Sequence, residues 1–216
     1  MPLSIVQYIA VAIIPILFAI TVHEVAHGYV AKRFGDRTAQ MLGRLTLNPI
    51  KHVDLVGTIL VPAVLMFAGG FLFGWAKPVP VDPRNFKNPK RDMIWVALAG
   101  PLSNLLMAFL WAAILKLSIV FSVYDHWLTD PMRFMAQIGI QINIILFTLN
   151  LVPIPPLDGS KVLMGLLPGP AAYKLSRIEP YGFFIILALI FLGVISAIVM
   201  PVLHIFVVFV SSVFHF

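Results

Sequence analysis

The chain has 216 residues, of which 60% are hydrophobic and only 11% charged. A soluble domain of this length is nearer half apolar and a quarter charged, so the excess has no core to hide in, and the soluble, fibrous and disordered classes are excluded. The net charge of +6 at pH 7 does not indicate a nucleic-acid partner, because the cations lie between long apolar runs instead of forming a basic polar surface.

The first run, Ile5 to Val30, is long enough to span, since ~20 helical residues cross a ~30 Å hydrocarbon core. It lacks the basic start and cleavage site of a signal peptide, so a retained helix is expected. A second run, Leu55 to Trp75, contains Pro62 and Gly69-Gly70. A third covers Met93 to Phe121 and a fourth Phe134 to Val152. The last, Tyr181 to Phe216, is interrupted by Pro201. The predicted fold is therefore an all-α polytopic membrane protein. About four helices span, with a re-entrant helix and extended segment and a kinked C-terminal helix. With no repeat or low-complexity linker, residues 1–216 read as one membrane-embedded domain, its catalytic core at about 5–167.

Charge sets the sidedness. The connections between runs one and two, two and three, and four and five hold 13 of the 15 cations. All three should be cytoplasmic, in a cell membrane. A full crossing by run two would put its flanking basic loops on opposite faces. The expected escape is a helix from about Leu55 to Ala68, a turn at Gly69-Gly70, and a return as an extended Phe71 to Val81 segment, covered by protein or by a water cavity.

The first run ends in His23-Glu24-Val25-Ala26-His27. Histidines at i and i+4 share one helix face and can reach one metal ion, while Glu24 can reach a water on that ion. This is the HExxH arrangement of zinc hydrolases, with the glutamate as general base. On a soluble helix the match is often accidental. Three ionisable side chains inside a spanning helix each cost a few kcal/mol, however, and call for a partner or a purpose. A catalytic zinc usually takes three protein ligands plus water, and Asp158 is the best third candidate. It follows Pro153, Pro155 and Pro156, which must end the fourth helix and hold an irregular loop at the membrane edge. The competing role for Asp158 is to cap a short helix over Ser160 to Leu167; the ligand role is favoured. His52, His126, His204 and His215 are expected to be solvated or interfacial. Asn104, inside an apolar run, needs a partner. It could orient a loop or donate to the scissile carbonyl oxygen.

HEVAH, Gly100-Pro101-Leu102-Ser103-Asn104 and NLVPIPPLDG from Asn150 to Gly159 occur in this order, and together they resemble the site-2 protease family of intramembrane zinc metalloproteases. The segments Asn48 to Asp54 and Gly74 to Val81 resemble a compact subgroup within it, without room for PDZ-like or CBS-like domains. The resemblance implies one zinc held by His23, His27 and Asp158, Glu24 as catalytic base, and Asn150 as a contact to the substrate main chain. The implied activity is endoproteolysis in or near transmembrane segments of other membrane proteins, in the setting of the lipid bilayer. A non-catalytic metal carrier or adaptor is the alternative, but a carrier would spread its ligands along a path through the bilayer. Along an extended Phe71 to Val81 segment, Pro78 and Pro80 face one edge. Lys77, Val79 and Val81 then offer N–H and C=O groups on the other, where an unwound substrate strand could pair.

Overall fold

In a computed structural model of the protein, residues 5–64, 74–122 and 126–214 are described. The first apolar run forms one helix, α1 (Ile5–Arg33), with Pro15 buried inside it. It stops at Gly35, whose φ of +110° places it in the left-handed region. There the Asp36 N–H reaches back to the Ala31 carbonyl and the Gly35 N–H to that of Lys32, the paired bonds that close a helix C-terminus. Gly43 (φ +64°) ends the short α2 (Thr38–Met41) in the same way.

The second run begins as α3 (Leu55–Val64), capped by the Asp54 carboxylate, which accepts from the N–H groups of Val56 and Gly57. Its opening turn is wide, with the Val61 N–H bonded to the Val56 carbonyl. The other end of the run returns to this point. The Trp75 N–H donates to the Gly57 carbonyl at 3.0 Å, and the Thr58 hydroxyl donates to the Trp75 carbonyl at 2.9 Å. Residues 57 and 75 therefore lie at one level, which excludes a single crossing between them. The expected turn at Gly69-Gly70 and the Phe71 to Phe73 stretch lie outside the described residues. From Gly74 to Val81 the chain has no helix, and no β-strand forms among the described residues.

The third and fourth runs form α4 (Pro89–Phe121) and α5 (His126–Asn150). Both start earlier than the apolar runs, α5 by eight residues. Hydropathy marks where hydrocarbon begins, whereas the helix continues into the polar interface. After the proline-rich loop come α6 (Asp158–Leu166) and α7 (Gly169–Ser176). The last run is two helices, α8 (Gly182–Phe191) and α9 (Val194–Phe214). Its break falls at Gly193 (φ +75°) and not at Pro201, which lies within α9. A left-handed glycine ends a helix outright, whereas a proline removes one hydrogen bond that the surrounding turns can spare.

Among the described residues, four helices are long and apolar enough to cross a membrane: Ile9–Arg33, Pro89–Phe121, Trp127–Asn150 and Val194–Phe214. The central one, α4, packs against α1, α5, α6 and α9. Its contact with α5 and α9 is built on Ala108, Ala112 and Ala136, with Ile140, Ile144, Phe206 and Val210 filling between them. Small residues let helix backbones approach where lipid offers no hydrophobic drive. Leu102, Leu106 and Leu110, four apart on α4, are exposed as a lipid-facing stripe.

A second cluster, Ala31, Phe86 and Val96 with Phe34 and Val81, joins the basic end of α1 to the start of α4. Beside it Asp36, only 1% exposed, gathers the loops. One oxygen accepts from the Thr38 N–H, the Thr38 hydroxyl and the Asn85 amide, and the other from the Asp82 N–H at 2.8 Å. Burial disfavours its charge, but these four donors outweigh that and hold its pKa below the usual carboxylate value. Asp36→Ala is expected to destabilise the protein by about 2–4 kcal/mol, since it strands buried donors. A depressed pKa means that this contribution is present above the unfolded value of about 4 and is lost as pH falls through the folded one. The difference in melting temperature between wild type and variant in detergent should stay constant from pH 7 to pH 5 and narrow only below about 4.

Candidate metal centre

His23 and His27 project from one face of α1, and their Nε2 atoms are 3.0 Å apart. Asp158 meets them from the first residue of α6, with Oδ2 at 3.2 Å from His23 Nε2 and 3.1 Å from His27 Nε2. All three side chains are buried. Asp158 is the first residue of α6 and not its N-cap, which is Leu157; its second oxygen, Oδ1, takes the Lys161 ammonium at 3.2 Å. The proline-rich loop brings α6 against α4, and Gly159 permits the fit, because a Cβ there would strike the Leu151 and Val152 carbonyls.

The far side of each imidazole is also engaged. His27 Nδ1 lies 2.7 Å from the Val96 carbonyl of α4, which can only accept, so Nδ1 carries the hydrogen. His23 Nδ1 lies 2.6 Å from Asn104 Oδ1 and likewise donates. In the neutral rings both Nε2 atoms are then bare. Two nitrogen lone pairs and a carboxylate oxygen converge with no hydrogen between them, an arrangement that a cation balances. Tetrahedral zinc with bonds of 2.0–2.1 Å sets its ligand atoms about 3.3–3.4 Å apart. The three separations here fall just short of that, so the donor set fits zinc in kind and in size. Three protein ligands would leave a fourth coordination position for water or substrate.

Glu24, next on the helix, is half-buried and points to the 74–82 segment, where its Oε2 accepts the Val79 N–H at 2.7 Å. That bond changes the reading of the segment. The Val79 N–H is occupied by Glu24. The Lys77 N–H is bonded to the His52 carbonyl, and the Lys77 carbonyl accepts from Arg44, both at 2.9 Å. The Val79 side chain is buried. Of the edge predicted to receive substrate, both main-chain groups of Lys77 and the Val79 N–H are spent within the chain, and Val81 packs into the Phe86 cluster. Docking onto α1 and the 44–52 loop has used the groups that a solvated loop would have left open. Val79 presents its N–H to the glutamate, not to a peptide.

Asn104 also sits elsewhere than a substrate donor would. It is fully buried, and its amide nitrogen is committed to Asn143 Oδ1 and the Ala19 carbonyl, so no hydrogen remains for a scissile carbonyl. It stands behind His23. Asn150 turns its amide nitrogen back to the Leu146 carbonyl of its own helix at 2.9 Å. His52 is buried and not solvated; its Nε2 donates to the Thr46 carbonyl at 2.9 Å. His204 is exposed on α9, the side chain of His126 lies outside the described residues, and so does His215. Sequence reasoning missed Val79 as a partner of Glu24, Asp36 and Asn143. The polarity of Asn143 within an apolar helix was the one signal available for it.

Residues 11–126 match peptidase family M50. Relatives that carry the name "Putative zinc metalloprotease" include the following two. YwhC of Bacillus subtilis is 42% identical over 94% of this chain and 89% of its own. Rip2 of Mycolicibacterium smegmatis is 31% identical over 88% of this chain and 70% of its own. No solved structure matches the chain. The protein belongs to peptidase family M50, the site-2 protease family. It is a multi-pass membrane zinc metalloprotease.

Gly100 explains how α4 comes so near the two rings: a Cβ there would lie 2.6 Å from His23 Cε1 and nearer still to the His27 ring. Gly100→Ala should therefore displace the imidazoles, at an overpacking cost of about 1–3 kcal/mol. The expected result is a zinc affinity lowered roughly tenfold or more, measured by chelator competition on purified protein.

Proposed function

We propose that the protein is an intramembrane endopeptidase that hydrolyses peptide bonds in or near transmembrane segments of other membrane proteins. In this reading His23, His27 and Asp158 hold one zinc per chain, Glu24 is the catalytic base, and residues 1–216 act as a single catalytic domain. The observation that carries it is the convergence of two bare Nε2 atoms and one carboxylate oxygen, buried against a helix long enough to span. Val25 lies eight residues, or ~12 Å, from the end of α1 at Arg33, so the site is sunk below the basic interface. The positive-inside bias supports a cytoplasmic-facing site in the cell membrane.

When bound, zinc supplies a Lewis acid that lowers the pKa of water and polarises the peptide carbonyl. The chain does the rest. His23 and His27 are held from behind by Asn104 and Val96, so they offer Nε2 without reorganisation. Lys161 offsets the charge of Asp158 on the side away from the imidazoles. Glu24 accepts a proton from the attacking water at a carboxylate oxygen and passes it to the departing amine. The Val79 N–H holds one carboxylate oxygen in place and leaves the other to move the proton. A transmembrane helix hides its peptide bonds in i to i−4 hydrogen bonds, so a substrate segment must unwind before its carbonyl can be attacked.

Glu24→Gln and Asp158→Ala separate the roles. The glutamine keeps the shape but cannot take the proton, so zinc content should stay at the wild-type level while turnover falls by about 10²–10⁴. The alanine should lose both zinc and turnover. Comparing N-terminal fragments across whole membranes from wild-type and Glu24→Gln cells should reveal products that vanish only in the variant. Soluble-protein fragments alone would remove transmembrane segments as the substrate.

A further inference from the structure

We propose that Asn143, a fully buried residue of α5, is a positioning residue for the metal. Acting through Asn104, it holds His23 in the tautomer whose Nε2 is a ligand. This rests on the zinc reading above. The two ends of a carboxamide have nearly the same shape, so Asn104 can in principle sit either way round. As it stands, its oxygen faces His23 Nδ1 and the ring hydrogen stays there. Reversed, its NH₂ would donate to Nδ1, the ring hydrogen would move to Nε2, and the lone pair that faces Asp158 would be filled.

Two acceptors oppose that reversal. The Ala19 carbonyl is 3.2 Å from Asn104 Nδ2 and belongs to an α1 turn that already uses it. Asn143 Oδ1 is nearer, at 2.9 Å. The orientation of Asn143 is fixed in turn, since its Nδ2 donates to the Gly139 carbonyl at 2.8 Å. Turning Asn104 alone would set its oxygen against both acceptors. Turning the two together would set Asn104 against Ala19 and Asn143 against Gly139, oxygen to oxygen in each case. Both amides are 0% exposed, so water cannot repair either mismatch. Donation thus runs one way along the line, from His23 Nδ1 to Asn104, from Asn104 to Asn143 and from Asn143 to the Gly139 carbonyl of α5, and it leaves His23 Nε2 bare.

A buried asparagine could instead serve only as glue between helices. The test separates the two on protein purified in detergent, using zinc affinity by chelator competition and the visible d–d absorption of the cobalt-substituted protein. Asn143→Leu removes the acceptor, whereas Asn143→Asp keeps an oxygen for Asn104 and, when protonated, a donor for Gly139. Zinc affinity should fall roughly 10–100-fold in Asn143→Leu and stay within about threefold of wild type in Asn143→Asp, with the cobalt spectrum altered only in the former. Because the effect passes through Asn104, the double variant Asn104→Leu/Asn143→Leu should bind zinc no more weakly than Asn104→Leu alone. Should Asn143→Leu not fold, Asn143→Ala carries the same expectation with less bulk. Wild-type zinc affinity in Asn143→Leu, an equal loss in Asn143→Asp, or multiplying effects in the double variant would each overturn the proposal. A wild-type chain that takes up no zinc would remove the metal reading itself, and this inference with it.

Discussion

Three electron pairs pointed at one another inside a membrane helix bundle are costly, and much of the architecture around them is arranged to hold them there. Two imidazole nitrogens and a carboxylate oxygen lie 3.0–3.2 Å apart, with no hydrogen among them in the neutral rings. In so apolar a setting their mutual repulsion is poorly screened. The helices answer it from behind. Val96 on α4 takes the hydrogen of one ring, Asn104 takes that of the other, and Lys161 on α6 draws on the far carboxylate oxygen. Each constraint comes from an element other than α1, so the site is a property of how helices meet. Gly100 and Gly159 belong to the same account: both are places where a single carbon would push the partners apart.

The 74–82 segment answers to the same need at the mouth of the site. It is tied at one end through Trp75 to Gly57, in the middle through Lys77 to His52 and Arg44, and at the other end through Asp82 to Asp36. Between these ties it lays one N–H on Glu24. Pro78 and Pro80 flank Val79 and have no N–H to offer, so Val79 alone of the three supplies a donor. The register of the two prolines thus selects which main-chain hydrogen the glutamate receives.

Much of the fold was legible because hydrophobic length and charge bias act locally along the chain. The spans, the return of the second run and the pair His23 and His27 all follow from spacing and from the cost of charge in lipid. Asp158 was legible from the prolines before it, which forbid helix and so place it at an edge. The roles of Asn104 and Val79 were not. Spacing along α1 tells which residues share a face, but not which atom of α4 or of an extended segment comes to rest against them. Asp36 carries no distinguishing pattern along the chain, since its four donors come from positions as far away as Asn85. The break at Gly193 was misplaced because proline is the louder breaker in sequence, whereas a left-handed glycine shows itself only in the backbone angle.

Asp158 enters the site from the final third of the chain, long after His23, Glu24 and His27 have been made. During synthesis the first helix must wait in the bilayer with its histidines and glutamate unmatched while α4, α5 and the proline-rich loop are still to come. Until α6 docks, the ribosome-bound chain has only two of the three groups that could grip a metal. On the three-ligand reading proposed above, a chain without α6 lacks one of the groups that would hold zinc. In that reading the metal site closes only when α6, a helix of nine residues, has docked.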